Sequence, residues 1–317
     1  MPIKLVKAYS RLGYLYSNTH LFPDYIIESV VKRPGLKKMF RDLGLKFSEA
    51  GEVHEVAVKP AAAKAMAGEE KLKFGREVAA FNSKLRDIIS ASIKTDADWP
   101  FMVGGDHSSA IGSIAGVLQK RPNTGLLWID AHSDIHTPET TETGWVYGMP
   151  VAVVTGHGAS ELLKVMKNKF LNPKNVCLFG VRYAEAGEWA NIKKWGVNII
   201  TIDDIMERGV ANCLKEAMAM VTKNTDYLHV SLDIDVIDKQ YAPGATEPTE
   251  GGLTYREISY IARKLGESNQ VNSFDLVEGE PDKDIEYRTG KLCLEIVANI
   301  LGKKYSDYEI YLAENSV

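Results

Sequence analysis

The sequence lacks most of the features that mark secreted, membrane or nucleic-acid-binding proteins. Its N-terminus, MPIKLVKAYS, has no apolar signal core, and its three cysteines, Cys177, Cys213 and Cys293, are odd in number and far apart. We therefore expect a reducing cytoplasm, with each cysteine buried as a packing residue. A formal net charge of −4 predicts no general attraction to nucleic acid or to anionic lipid.

The sequence also lacks internal repeats, low-complexity tracts and long Pro/Gly/Ser linkers. With 45% hydrophobic and 25% charged residues, its composition is that of an ordinary globular protein, and it indicates neither a membrane protein nor a disordered one. A loose segment is predicted from Lys59 to Lys73, where Ala, Lys and Glu predominate. We interpret residues 1–317 as one domain.

Apolar patterning predicts that helices and strands alternate along the chain. Apolar residues three or four apart between Phe74 and Ile88 indicate an amphipathic helix. Strands are predicted at 101–103, 126–129, 176–181, 197–202, 228–232 and 273–277, and further helices at 111–119, 213–221, 255–264 and 292–301. Short apolar strands separated by helices favour an α/β fold whose parallel sheet is covered on both faces, with its chemistry at the carboxyl ends of the strands.

Four of the predicted strands run directly into acidic or histidine-bearing segments. These segments are Gly-Gly-Asp-His107, Asp130-Ala-His132-Ser-Asp134, Asp233-Ile-Asp235, and Glu278 after Phe274-Asp-Leu-Val. Because alternate side chains of an extended segment point the same way, the acids and histidine of each D-x-(H/D) run can face one point in space. With His107, six potential metal ligands converge.

Four ionised aspartates packed together repel one another, so positive charge must lie among them. Two divalent cations would balance four carboxylates. Mixed oxygen and imidazole ligation suits Mn²⁺, with Fe²⁺, Co²⁺, Ni²⁺ or Zn²⁺ as alternatives, whereas Ca²⁺ or Mg²⁺ would not be expected to take two histidines. A paired site of this kind generates hydroxide near neutral pH and stabilises a tetrahedral intermediate, so the sequence predicts a hydrolase.

At these residues the chain resembles the arginase and agmatinase (ureohydrolase) family, and arginases most closely. The similar segments are GGDHS at 104–108, DAHSDIHTP at 130–138, SLDID at 231–235 and GGLTYRE at 251–257. The match runs from about residue 101 to residue 301, whereas residues 1–100 are diverged and lack the glycine-rich entry motif of the family. The resemblance implies a three-layer arginase-like fold with a central parallel β-sheet flanked by helices, and a homo-oligomer, either a trimer or a hexamer.

The resemblance also implies how the ligands divide between two metal ions. One ion would be bound by His107, Asp130, Asp134 and Asp233, and the other by Asp130, His132, Asp233 and Asp235. Asp130 and Asp233 would therefore bridge the pair.

Substrate contacts follow from the same resemblance. Glu278 matches the glutamate that pairs with the substrate guanidinium, which suits planar bidentate recognition. His136 and Thr143 stand where arginases usually carry Asn and Ser on the loop that grips the amino-acid carboxylate. Glu185 stands where an aspartate meets the α-amino group, and Asp134 is an expected catalytic residue together with Glu278.

Three positions depart from the family pattern. Tyr147, the third expected catalytic residue, replaces a histidine thought to shuttle protons, and a phenol with a pKa near 10 substitutes poorly at neutral pH. Glu247 replaces a threonine, and Gly279-Glu280 replaces Val-Asn. The two glutamates would either favour a cationic substrate or form a solvated rim with no role. Trp145 and Tyr147 would either line the entrance or pack in the core.

The leading functional hypothesis is hydrolysis of arginine to ornithine and urea, with a small guanidino molecule as the partner. A first alternative keeps the chemistry and changes the substrate to agmatine, guanidinobutyrate or formiminoglutamate. A second alternative is a catalytically weak, metal-binding regulatory homologue.

Overall fold

Eight parallel strands form the centre of the fold, which is known from a computed structural model that describes residues 1–30, 33–59 and 72–305. The strands of this sheet are β1 (Ile3–Tyr9), β4 (Phe47–His54), β5 (Trp99–Gly104), β6 (Thr124–Ile129), β7 (Val176–Val181), β8 (Asn198–Thr201), β9 (Tyr227–Asp233) and β10 (Val271–Val277). Their order across the sheet is β4-β1-β5-β10-β9-β6-β7-β8. Two short strands, β2 (Ser29–Val30) and β3 (Arg33–Pro34), pair separately as an antiparallel ladder.

Helices cover both faces of the sheet. One face carries α1 (Phe22–Ile27), α2 (Leu36–Asp42), α8 (Ile202–Arg208), α9 (Val210–Thr222), α10 (Tyr255–Ser268) and α11 (Arg288–Ile300). The other carries α3 (Gly75–Ser92), α4 (Ala110–Lys120), α5 (Pro150–Val154), α6 (Ser160–Leu163) and α7 (Ala186–Trp195). The fold is therefore the three-layer α/β arrangement that the sequence predicts.

Each of the two helical layers has its own apolar core, and the pleat of the strands divides residues between them. In β5, Phe101 and Val103 pack into the core on the side of α1, whereas Met102 packs into the core on the side of α4. Every residue of β5, β6 and β7 is buried. Burial on both faces explains why these strands read as continuous apolar runs in the sequence.

All six predicted strands are present in the structure, but β1 and β4 lie in the N-terminal part where no strand was predicted. In β1, Lys4 and Lys7 interrupt the apolar run, and their ammonium groups pair with Asp98 and with Asp24 and Glu28. Strand β4 lies at the edge of the sheet and is largely solvent-accessible, so its sequence is mostly polar. The loose segment predicted from Lys59 to Lys73 falls mainly on residues 60–71, outside the described residues.

Across the described residues, every helix is too short or too polar to cross a membrane. Cys177, Cys213 and Cys293 are buried and form no disulfide, as expected for packing residues.

Candidate metal centre and substrate pocket

The four central strands carry the four polar segments, and their register aligns the strand ends. Ile129 of β6 pairs with Leu232 of β9, so the next residues along each strand, Asp130 and Asp233, come side by side. Val277 at the end of β10 pairs with Asp233, which brings Glu278 to the same edge. Because the carboxyl ends of parallel strands meet at one edge, segments that are distant in sequence form a single site.

Backbone amides hold one oxygen of each of three aspartates. Asp130 Oδ1 accepts a hydrogen bond from the amide of His132 at 2.7 Å, and Asp233 Oδ1 accepts one from the amide of Asp235, also at 2.7 Å. Asp235 Oδ1 accepts from the amide of Ala131 at 3.2 Å. The first two bonds, from amides two positions ahead, are typical of Asx turns. In all three aspartates the bonded oxygen is Oδ1, and Oδ2 faces the histidines of the site.

The segments are not extended where the sequence predicts that they are. Strand β6 ends at Ile129, and Asp134 has a left-handed backbone with φ of 48°. Asp235 lies in a 3₁₀ turn at Ile234–Val236. The aspartates therefore converge because the chain turns immediately after each strand, which is a correction to the expectation that strand alternation would align them.

His107 lies where three of the carboxylates meet. Its Nδ1 is 2.9 Å from Asp130 Oδ2, 3.1 Å from Asp233 Oδ2 and 3.4 Å from Asp134 Oδ2. Its Nε2 is 2.9 Å from Ser231 Oγ, and its ring stacks on Trp128 with centroids 3.8 Å apart. The ring is thus fixed on one side and presents a single nitrogen to the carboxylates.

His132 closes the other side of the cluster. Its Nδ1 is 3.0 Å from Asp235 Oδ2 and 3.6 Å from Asp130 Oδ1. Its side chain is 26% exposed, whereas that of His107 is 1% exposed. The cluster therefore opens towards solvent on the His132 side.

Burial and mutual repulsion make the full negative charge of this cluster costly. Burial and then the charge of Asp130 raise the pKa of Asp134 well above its usual value, and burial and the charge of Asp235 do the same for Asp233. Burial by itself lowers the pKa of His132, but the carboxylates of Asp235 and Asp130 raise it well above the ordinary value. The protein alone would thus keep protons in the cluster, which divalent cations would displace.

The donor set and geometry fit two metal ions. The ligand atoms of His107, Asp130 and Asp233 lie within 4.8 Å of one another, as do those of Asp130, His132 and Asp235. Although three carboxylates surround Nδ1 of His107, this buried nitrogen makes no aligned hydrogen bond with any residue that the structure describes. A lone pair aimed at buried carboxylates is unfavourable unless a cation lies between them, and imidazole with carboxylates is a common ligand set for Mn²⁺, Fe²⁺, Co²⁺, Ni²⁺ or Zn²⁺.

Glu278 lies beside the cluster in a strained backbone conformation. Its φ is 62°, in the left-handed region that non-glycine residues seldom adopt and that costs of the order of 1–3 kcal/mol. Its Oε1 accepts a hydrogen bond from the amide of His107 at 2.6 Å, whereas its buried Oε2 has no partner among the described residues. Burial, followed by the charge of Asp106, raises the pKa of Glu278 to about 8. The carboxylate is positioned for a ligand that brings positive charge.

A pocket of about 420 Å³ extends outward from His132 and Asp134. Its remaining lining comes from three loops and the start of α7: His136, Thr141, Glu142, Thr143, Trp145, Tyr147, Gly148, Arg182, Tyr183, Ala184, Glu185, Glu188 and Glu247. This volume suits a small molecule whose inner end reaches the metal cluster.

The three residues expected to bind the far end of a substrate all line this pocket. His136 is buried, with Nε2 3.4 Å from Glu185 Oε2 and 3.5 Å from Glu188 Oε2. Thr143 is exposed, and its hydroxyl oxygen accepts from the amide of Trp145 at 3.3 Å. Glu185 is exposed at the N-cap of α7, where its side chain and that of Glu188 form a capping box.

Tyr147 and Trp145 form part of an aromatic cluster at one side of the pocket. The ring of Tyr147 lies 5.0 Å from that of Tyr14, and Trp145 contacts Tyr14, Tyr16 and Phe74 with ring centroids 5.7 to 6.3 Å apart. Burial, and then the charge of Glu247, raise the pKa of the Tyr147 phenol above its ordinary value. Tyr147 therefore stays protonated at neutral pH.

The two extra glutamates occupy different places. Glu247 lines the pocket, and its Oε2 is 3.5 Å from Nε2 of His132. Glu280 does not line the pocket; it is buried, pairs with Lys283 at 2.9 Å and accepts from the amide of Asn18 at 3.3 Å. Of the two, only Glu247 places its charge on the pocket wall.

Several residues that orient the site were not found by sequence reasoning. Ser231 and Trp128 fix His107, and Trp128 Nε1 also donates to Asp130 Oδ2 at 2.9 Å. Buried Asp106 accepts hydrogen bonds from the amides of Gly13 and Ser108, and it thereby connects the loop after β1 to the segment that carries His107. The one available signal was position, because each of these residues lies within two residues of a predicted ligand or in the same motif.

Comparison with known proteins finds relatives of this chain along most of its length. A family profile described as the Arginase family matches residues 23–302, so the similarity begins well before the first metal motif. The arginase of Staphylococcus aureus (strain COL) is 32% identical over 302 residues, which cover 95% of this chain and 97% of that protein. The crystal structure of arginase from Bacillus subtilis has a TM-score of 0.84 at 30% identity and covers 96% and 99% of the two chains. The crystal structure of Entamoeba histolytica arginase in complex with L-ornithine has a TM-score of 0.82 at 26% identity and covers 95% and 98%.

Proposed function

The chain belongs to the arginase family of metal-dependent hydrolases, and on that premise we propose that it cleaves the guanidino C–N bond of arginine to give ornithine and urea. The observation that carries this proposal is the convergence of two histidines and four aspartates beside Glu278, at the inner end of a pocket of about 420 Å³. Support for arginine comes from the relatives named above, which are arginases, one of them solved with L-ornithine.

We propose that the cluster holds two divalent metal ions, preferably Mn²⁺. The ligand sets are those that the family resemblance implies, with His107 and Asp134 on one ion, His132 and Asp235 on the other, and Asp130 and Asp233 between them. When bound, the ions supply Lewis acidity and make water nucleophilic near neutral pH. Within this arrangement, backbone amides fix the Oδ1 atoms of Asp130 and Asp233, and the Ser231 hydroxyl can accept the Nε2 proton of the His107 tautomer whose Nδ1 is free to bind metal.

Glu278 is proposed to bind the guanidinium group. Its Oε1 is held by the amide of His107, so the unpartnered Oε2 is the atom that can accept from a guanidinium nitrogen. A buried carboxylate with a raised pKa gains most from a cation that arrives with the substrate. The contact would orient the guanidino carbon towards the metal cluster.

Asp134 and Tyr147 are proposed to handle protons at the pocket. Asp134 Oδ2 is 3.4 Å from Nδ1 of His107, so it is close enough to the cluster to accept a proton from attacking water. The Tyr147 phenol, whose pKa is raised, can donate a hydrogen bond to a leaving amine but is a weak base. At the far end, His136, Thr143 and Glu185 are proposed to contact the amino-acid portion of the substrate.

We also propose that residues 1–317 form one domain, because β1 pairs directly with β5, the strand that leads into the first metal segment. An oligomer of three or six chains in the cytoplasm is proposed from the resemblance to the family alone.

The deciding experiment measures products and metal together. The chain is stripped with a chelator, reloaded with Mn²⁺ or Ni²⁺, and assayed for urea or ammonia with arginine, agmatine, guanidinobutyrate and formiminoglutamate, while metal content is measured by mass spectrometry. We expect two metal ions per chain and urea from arginine. Asp235→Asn should lower both metal content and turnover, whereas Asp203→Asn, at an exposed position on α8, should change neither. Full metal loading without turnover of any compound would refute the proposal.

A further inference from the structure

The substrate loop, residues 137–147, forms much of the pocket wall but has little regular structure of its own. It contributes Thr141, Glu142, Thr143, Trp145 and Tyr147 to the lining. From residue 137 to residue 145 the loop forms no helix or strand. A segment with so few backbone hydrogen bonds opens easily unless other parts of the chain hold it, so the position of its side chains depends on outside contacts.

Two backbone hydrogen bonds anchor the substrate loop to segments that are remote in sequence. The amide of Lys73 donates to the carbonyl of Gly144 at 2.8 Å, and the amide of Tyr147 donates to the carbonyl of Gly13 at 3.4 Å. The amide of Gly13 in turn donates to Asp106 Oδ2 at 3.1 Å. The N-terminal part of the chain therefore connects the substrate loop to the first metal segment.

Side-chain contacts with the same two segments converge on Trp145. This residue is only 5% exposed, and the rings of Tyr14 and Tyr16 meet its indole edge-on, each with centroids 5.7 Å apart. The ring of Phe74 lies 6.3 Å away, and the ammonium group of Lys73 lies over the indole at 4.6 Å from its centroid. Edge-to-face rings and a cation over an indole are each stabilising beyond the area that they bury.

Trp145 is linked through its backbone to a polar group on the pocket wall. Its amide donates to Thr143 Oγ1 at 3.3 Å, and the amide of Gly144 donates to Thr141 Oγ1 at 3.0 Å. A hydroxyl that accepts a backbone hydrogen bond still has its own proton to donate. The placement of Trp145 therefore sets the placement of the Thr143 hydroxyl, which is exposed to the pocket.

The four side chains around Trp145 form a clamp that consists of Tyr14, Tyr16, Lys73 and Phe74. All four belong to residues 1–100, for which the sequence predicts no role in the site. None of the four lines the pocket, so their effect on a bound ligand must pass through the substrate loop.

We propose that the clamp positions the substrate loop, and through it the Thr143 hydroxyl, so that the clamp sets the affinity for the amino-acid portion of the substrate and leaves bond cleavage unaffected. Trp145 and the clamp are thus positioning residues. The inference rests on the proposed function, because it assumes that the guanidino end of the substrate lies at the metal cluster.

Replacement of Tyr16 with alanine tests the clamp with little risk to folding, because Tyr16 is 65% exposed. We expect Tyr16→Ala to raise KM for arginine by about threefold to tenfold, the equilibrium cost of losing one edge-to-face ring contact, with kcat within about twofold of the native value. Tyr16→Phe keeps the ring and should restore the native KM. Tyr241→Ala, which removes an exposed tyrosine outside the pocket, is the matched control and should change neither constant.

Inhibition constants show which part of the ligand the clamp serves. Ornithine carries the amino-acid portion, whereas n-butylguanidine lacks it. In Tyr16→Ala we expect inhibition by ornithine to weaken by about threefold to tenfold and inhibition by n-butylguanidine to change by less than about twofold. Equal weakening of the two inhibitors, or a native inhibition constant for ornithine, would overturn the inference.

Hydrogen exchange of the metal-loaded protein without substrate makes the test independent of turnover. The amides of Gly144, Trp145 and Tyr147 are hydrogen-bonded, so peptides that cover 141–147 report opening of the substrate loop. Exchange there should be at least about threefold faster in Tyr16→Ala, and native in Tyr16→Phe and Tyr241→Ala. Native exchange in Tyr16→Ala would overturn the inference. Faster exchange in a protein that hydrolyses no guanidino compound would support the clamp and refute the proposed function.

Discussion

Replacing Ser231 with alanine isolates the contribution of a buried hydroxyl to metal binding. Ser231 is fully buried on β9, and its Oγ is 2.9 Å from Nε2 of His107. For Nδ1 to serve as a metal ligand, Nε2 must carry the proton and donate it, and Ser231 is the acceptor that the structure provides. The substitution removes this acceptor and leaves a small cavity, while the metal-facing carboxylates keep their backbone hydrogen bonds.

The expected loss can be estimated from this contact. A buried donor that loses its partner costs about 1–3 kcal/mol, which corresponds to roughly 5- to 150-fold in an equilibrium constant. Loss of an outer-shell partner of a metal-bound histidine commonly weakens metal binding by about 10- to 100-fold. We therefore expect Ser231→Ala to weaken binding of Mn²⁺ by about 10- to 100-fold, with kcat close to normal at saturating metal because no reacting group is removed.

Competition between the protein and a fluorescent chelator measures the metal affinity, and urea formation at increasing Mn²⁺ gives the activation constant. Ser259→Ala is the matched control, because Ser259 lies on α10 with a buried hydroxyl that has no hydrogen-bond partner among the described residues. Equal metal affinity in Ser231→Ala and the native chain would show that His107 does not depend on its hydrogen bond, and the reasoning about its tautomer would be wrong.

Three further substitutions test other parts of the site. Glu278→Gln should lower kcat/KM by at least about 100-fold while metal content stays the same, because a neutral amide cannot form an ion pair with guanidinium. Assays of urea formation together with metal analysis test this, and retained activity would show that Glu278 does not bind the guanidinium group. Tyr147→His should raise kcat if proton transfer limits turnover, and an unchanged kcat in steady-state assays would exclude that role. Gly279→Ala should lower the free energy of unfolding by about 1–3 kcal/mol through overpacking, because a Cβ at 279 would lie 2.1 Å from Cδ2 of Phe22. An unchanged midpoint of denaturation in urea would show that the ring moves aside at little cost.

The buried strands were the most predictable part of the fold. Strands β5, β6 and β7 are covered on both faces, so nearly every side chain must be apolar and the runs stand out in the sequence. Edge strand β4 could not be identified in this way, because its exposed residues carry no such pattern. In β1 the apolar signal is hidden by Lys7, whose charge is acceptable because two carboxylates lie within 3.2 Å.

In the site, residue type was predictable and conformation was not. The set of aspartates and histidines follows from charge balance and from their position after apolar strands. Their convergence depends on turns that hold Asp130 and Asp233 by backbone amides two residues ahead, and such local bonds leave only a weak trace in sequence. The burial of Glu280 depends on Lys283 and on the amide of Asn18, a residue distant in sequence, so the sequence could not show that Glu280 lies off the pocket.

Strand β10 is the last strand among the described residues, yet it lies at the centre of the sheet between β5 and β9. During synthesis, one edge of β5 and one edge of β9 therefore stay unpaired until Val271–Val277 has left the ribosome and inserted between them. Until then no strand sets the distance between His107, which follows β5, and Asp233 at the end of β9, so the nascent chain lacks the assembled ligand set through which metal binding would add stability. Truncation before residue 271 is consequently expected to yield aggregating fragments rather than a smaller stable protein.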